Sequence, residues 1–126
     1  MQPLTEPPQI WEAVATDRAL LAEWAGRWPD SVWERPTPCA GWTVRQVLGH
    51  VTSMATASKA RTLVTYLRSG ANWDRASNML AAAASEAGSN DDVIGRLRSN
   101  AASRHAPPGL RANGVLAELV AHIKDL

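Results

Sequence analysis

The apolar residues of this chain recur at helical intervals, and nowhere do they alternate with polar ones for long enough to make a useful strand. From about Gln9 onward, Ile10, Val14, Leu21, Trp24 and Trp28 follow at steps of four, seven, three and four, so a helix is predicted that stops before Pro29. Residues 1–8 hold three prolines and read as a loose lead-in. The stretch WERPTPCAGW, Trp33 to Trp42, has two prolines and a glycine and reads as an ordered loop. Thr43 is then a good N-cap, and Gln46 three residues later completes a capping-box pattern.

A long second helix is predicted from there towards Arg68, with Val44, Val47, Leu48, Val51, Met54 and Ala55 as its apolar stripe. Beyond about Lys59 the stripe rotates to Leu63, Val64 and Leu67, which implies a bend or a change of neighbour. Ser69-Gly70 ends it. Trp73 to Ser89 favours helix by propensity but carries little amphipathic signal. Asn90-Asp91-Asp92 caps a further helix with Val93, Ile94, Leu97 and Ala101 inward, closed by Pro107-Pro108-Gly109. A last helix is expected from about Asn113 to Leu126. The predicted class is all-α, most economically a four-helix bundle, and 126 residues suit one domain over 1–126.

Composition narrows the function. A formal net charge of +1, from 13 basic and 12 acidic residues, gives no electrostatic footprint for nucleic acid and no basic membrane-binding face. No apolar run approaches the ~18 residues needed to cross a bilayer, and the opening MQPLTEPPQI has no signal-peptide character, so a cytoplasmic location is expected. Cys39 is the single cysteine, which excludes an internal disulfide and a multi-cysteine zinc site. Six tryptophans beside no phenylalanine suit codon bias better than a tryptophan-lined site, because they are spread along the chain.

Three groups stand out chemically: His50 on the second helix, and Glu118 with His122 on the last. Spacing of four puts Glu118 and His122 about 40° apart on one helical face. On a helical wheel His122 sits at the edge of the arc formed by Val115, Leu116, Leu119, Val120 and Ile123, with Glu118 just outside it. His50 likewise borders its arc, between Val47 and Met54. Two nitrogens and a carboxylate at the rim of a core match an open catalytic zinc site. Spacing alone leaves open a weak surface ion pair and a hydrogen-bonded core-edge histidine.

Two separated segments add to this reading. PTPCAGWTVRQVLGHV, through Val51, resembles the opening motif of the mycothiol-dependent maleylpyruvate isomerase family, within the wider DinB-like group of metal-binding four-helix bundles. VLAELVAHIKDL, Val115–Leu126, resembles the family's second motif, and SNDDVIGRLRSNAASRHAPPG resembles its third-helix region. The resemblance covers about residues 9–126 and implies His50, Glu118 and His122 as ligands of one divalent metal; the donor set suits zinc first, and nickel, iron and manganese stay open to it. It also implies mycothiol as a thiol co-substrate, its thiolate attacking an electrophilic carbon of a small second substrate in isomerisation or S-transfer.

Asp125, three residues past His122, is placed to orient it or to meet bound ligand. Cys39 is expected to pack rather than react, Trp42 to staple the helix start, Arg45 and Arg104 to be solvated, and His105 to be exposed. Relatives continue beyond the point where this sequence stops, and a second helix of ~26 residues would outreach a last helix of ~14. That mismatch makes Leu63, Val64 and Leu67 the expected place for a homodimer contact. The competing reading is a non-catalytic metal-binding or dimerising bundle.

Overall fold

The computed structural model describes residues 7–39 and 41–126, and seven helices stand among them: α1 Pro7–Ala25, α2 Asp30–Trp33, α3 Val44–Thr56, α4 Lys59–Arg68, α5 Trp73–Glu86, α6 Asn90–Ser99 and α7 Ala112–Asp125. The fold is all-α; among the described residues the extended pairing is limited to one bridge between Pro36 and Thr43. No helix among them is long and apolar enough to cross a membrane.

The expected four-helix core consists of α1, α3, α6 and α7. Val14, Leu21 and Ala25 of α1 meet Leu48, Val51 and Met54 of α3, Val93 and Leu97 of α6, and Val115 and Leu119 of α7 in one apolar cluster. Each buried leucine there contributes roughly 1.5–3 kcal/mol. Arg18 of α1 is also buried, and its guanidinium donates to the Ser103 carbonyl at 2.8 Å and the Ala101 carbonyl at 3.4 Å. Burial lowers its pKa to about 10, so it still carries charge at neutral pH and ties the segment after α6 to α1.

Several expectations need correction. Pro7 and Pro8, read as lead-in, begin α1, where a missing N–H costs nothing; the rest of that stretch lies outside the described residues. The long second helix is two helices broken at Ala57–Ser58. Thr52 and Thr56 in the last turns of α3 bond back to the carbonyls of Leu48 and Thr52, and Ser58 then caps α4 by accepting from the Arg61 N–H. With 13 residues in α3 and 14 in α7, the length mismatch disappears. The α6 helix ends at Ser99, well short of the prolines expected to close it. Val120, placed in the apolar arc, is exposed. The Thr43 capping box forms as read, with both reciprocal bonds to Gln46.

Candidate metal centre

The centre begins with two rigid helices. Val47, Leu48 and Val51 fix α3 in the interior, and Val115 and Leu119 fix α7. His50 and His122 then project from the rims of these buried faces. Beside His50, α3 runs so close to α5 that a Cβ on Gly49 would stand 2.6 Å from the Ala81 carbonyl and 2.8 Å from Ser85. Glycine is required there by approach, not by backbone angle.

His50, Glu118 and His122 each offer a ligand atom, and these atoms lie within 4.8 Å of one another. Glu118 Oε2 stands 3.2 Å from His122 Nε2. Two ligands bound at ~2.1 Å to a tetrahedral ion stand ~3.4 Å apart, so this pair is already at ligand spacing. The His50 and His122 ring centroids are 4.7 Å apart, edge to face. Burial, and secondarily His122, lowers the His50 pKa to about 4, so its imidazole is neutral at pH 7 with a lone pair to give.

The His122 side chain is 11% exposed, against 48% for Glu118. Its Nδ1 is fully buried without a hydrogen-bond partner, and Asp125 Oδ2 lies 3.9 Å away. Cys39 brings its sulfur into the same neighbourhood: Cys39, His122 and Asp125 form a second ligand-capable group within 4.8 Å. The Cys39 thiol is pushed up by burial, then by Asp125 and Glu118, and so stays protonated near neutrality.

Trp42, expected to staple the helix start, has its ring beside the centre, 5.0 Å from the His50 ring and 6.1 Å from that of His122. Its indole N–H donates to Asn78 Oδ1 of α5 at 2.7 Å. The loop that delivers it is tight: the Thr37 N–H donates to the Trp42 carbonyl and the Val44 N–H to that of Arg35, with Gly41 at φ 77°.

The three groups open onto a cavity of about 380 Å³. Trp42, Met54, Trp73, Leu80 and Leu110 give it apolar walls, and Thr62, Asp74 and His105 add polar groups. Two tryptophans therefore line one site, contrary to the reading from their spread along the sequence. His105, expected to be exposed, is half-buried on this wall, where the Ser103 hydroxyl accepts its backbone N–H. Arg45 is partly exposed, pairs with Glu34 at 2.8 Å and lies over the Trp33 ring, away from the cavity; Arg104 is exposed. Trp73, Asp74 and Thr62 escaped the sequence reading because a wall residue has no spacing rule comparable to that of two helical ligands.

An all-α bundle in which two imidazoles and a carboxylate meet beside a pocket defines a class of small helical domains with a ligand-capable His/Glu/His group. Within that class, the chain belongs to the mycothiol maleylpyruvate isomerase N-terminal domain family, which it matches over residues 14–126. No curated protein and no solved structure gave a significant match.

Proposed function

We propose that His50, Glu118 and His122 hold one divalent metal, zinc first, and that the chain acts as a metal-dependent enzyme on a low-molecular-weight thiol, mycothiol by its family. The observation carrying this reading is the convergence of three ligand atoms beside a cavity in a member of that family. The orphaned Nδ1 of His122 supports the fit: with its proton there, directed towards Asp125, Nε2 keeps its lone pair for an ion, the usual arrangement of a metal-bound histidine. Three protein ligands also leave a coordination position open, whereas structural zinc sites are closed by four.

When bound, the ion supplies Lewis-acid stabilisation of a thiolate, the nucleophile for isomerisation or S-transfer to a small electrophile. The remaining work falls to the chain. His50 enters neutral, Glu118 adds one negative charge, Asp125 is the carboxylate that would orient His122 on closing from 3.9 Å, and Trp42 keeps water from the face of the His50 ring. The reading places the protein in the cytoplasm, with residues 1–126 forming one domain. A non-catalytic metal-binding or dimerising bundle is the second reading, and the exposure of Leu63, Val64 and Leu67 favours its dimerising form.

Metal content of tag-free protein by plasma mass spectrometry tests the proposal, with His50→Ala and His122→Ala alongside. About one zinc per chain, lost in both variants, is expected. On cobalt-substituted protein an added thiol should shift the visible absorption. Metal that survives both substitutions would break the ligand assignment, and an unmoved spectrum would remove the thiol chemistry.

A further inference from the structure

The His122 ring has two nitrogens, and the proposed ion uses only one. Nε2 faces Glu118 at 3.2 Å. Nδ1, across the ring, is fully buried and has no hydrogen-bond partner. Asp125 meets the ring on that side, but its Oδ2 stops 3.9 Å from Nδ1, too far for a hydrogen bond. A buried polar nitrogen left in this way is costly unless something else satisfies it.

A third donor reaches the same place. Cys39, His122 and Asp125 each offer a ligand atom, and the three atoms lie within 4.8 Å of one another. Neither His50 nor Glu118 belongs to this group. Its backbones are held: the Cys39 N–H donates to Thr37 Oγ1 at 3.2 Å, and its carbonyl accepts from the Trp42 N–H at 3.0 Å. Asp125 rides on α7 together with His122. Cys39 and His122 also line the cavity, so an ion can enter from there.

We propose that Cys39, His122 Nδ1 and Asp125 form a second metal site, for a thiophilic divalent ion, zinc first, that fills only when zinc is in excess. Thiolate, imidazole and carboxylate are all zinc donors, and the sulfur selects against magnesium, calcium and manganese. Oxygen and nitrogen ligands on one tetrahedral zinc stand ~3.4 Å apart, so Asp125 has only a fraction of an ångström to close. With one ion bound, Nδ1 keeps its proton towards Asp125; the second ion takes that proton's place. The Cys39 thiol and Nδ1 each release a proton to solvent as it binds. This displacement, and the repulsion of two dications sharing one imidazole, make the second ion the weaker. It leaves on dialysis against metal-free buffer, so dialysed protein retains the first ion alone. The second site goes beyond the first and does not rest on it, since it uses neither His50 nor Glu118.

Cobalt(II) titration followed by absorption separates the two, because only the second carries sulfur and Cys39 is the single cysteine. The first equivalent should give visible d–d bands alone. Further cobalt should add a near-ultraviolet thiolate-to-cobalt band and saturate at about two ions per chain. Cys39→Ser should keep the d–d bands, lose the thiolate band and stop at about one ion. His50→Ala should lose the first site and keep the thiolate band.

No thiolate band at any cobalt concentration would overturn the second site and leave the first untouched. A thiolate band that arrives with the first equivalent and vanishes in His50→Ala would make Cys39 a fourth ligand of a single ion, which also overturns a separate site. A thiolate band that survives His122→Ala would remove the shared ring from it. First-equivalent d–d bands unmoved by His50→Ala would instead break the first ligand set, while the Cys39 band would still report the second.

Discussion

The four core helices and the α4–α5 hairpin are built on opposite terms. In the core, Val14, Leu48, Leu97 and Leu119 are 0–2% exposed and come from four different helices. In the hairpin, Leu63 and Leu67 are 55% and 64% exposed, and Val64 and Met79 also face outward. What the hairpin buries is small: Thr62, Ala76, Ala81 and Ser85. The cavity lies on the seam between these regions. Its ligand-capable groups stand on core helices, where packing holds them to a narrow geometry, while Trp73 and Asp74 stand on the hairpin. On the function proposed above, the core would hold the ion and the hairpin would shape the substrate wall.

The comparison breaks first on stability. Leu97→Ala should cost about 2–5 kcal/mol, since it opens a cavity where four helices meet, whereas Leu67→Ala should stay within about 0.5 kcal/mol. Urea unfolding monitored by circular dichroism measures both. If Leu67→Ala cost as much as Leu97→Ala, the α4 face would be covered in solution, and the dimer reading would gain the partner it needs.

The seam itself gives the next largest effect. Gly49→Ala puts a methyl where the Ala81 carbonyl stands 2.6 Å away and Ser85 backbone and side chain 2.8 Å away. Neither neighbour is the flexible end of a long side chain, so α5 must move. A loss of about 1–3 kcal/mol is expected. Hydrogen exchange should rise in α5 before it rises in α1 or α6, because the displaced contact is local. Uniform acceleration over all helices would show that the hairpin and the core unfold as one unit.

How much of this was legible follows the same division. The core helices announced themselves because their apolar residues repeat at helical steps, and Thr43 with Gln46 marked the start of α3 directly before its first buried residue, Val44. Glu118 and His122 share a helical face for a related reason, since a spacing of four obeys the same period, but spacing alone left a surface ion pair open and it was the family resemblance that joined His50 to them. The hairpin was not legible in that way. The helix break came from hydroxyl groups bonding back along α3 and from Ser58 as a cap, both compatible with a continuous helix on apolar spacing alone. Trp42 was placed by its local position as a staple, yet its partner Asn78 is 36 residues away. No local pattern reports such a contact.

His105 gives the smallest effect and the sharpest check on the cavity's remaining wall. Its pKa is lowered first by burial, then by Lys59 and Arg18, so its proton should leave below the ordinary value of 6.5. As pH falls through that value the unfolded chain takes up the proton before the folded one, so stability at this site is present above 6.5 and declines below it. The decline should be slight, because the ring is only partly covered. The proton titration of the His105 ring, followed by NMR, reads the shift directly. Lys59→Ala should raise the midpoint but not restore it fully, since burial is the larger cause. A midpoint at 6.5 or above would place the ring in water, and the segment that Arg18 and Ser103 tie down would no longer close the cavity against the core.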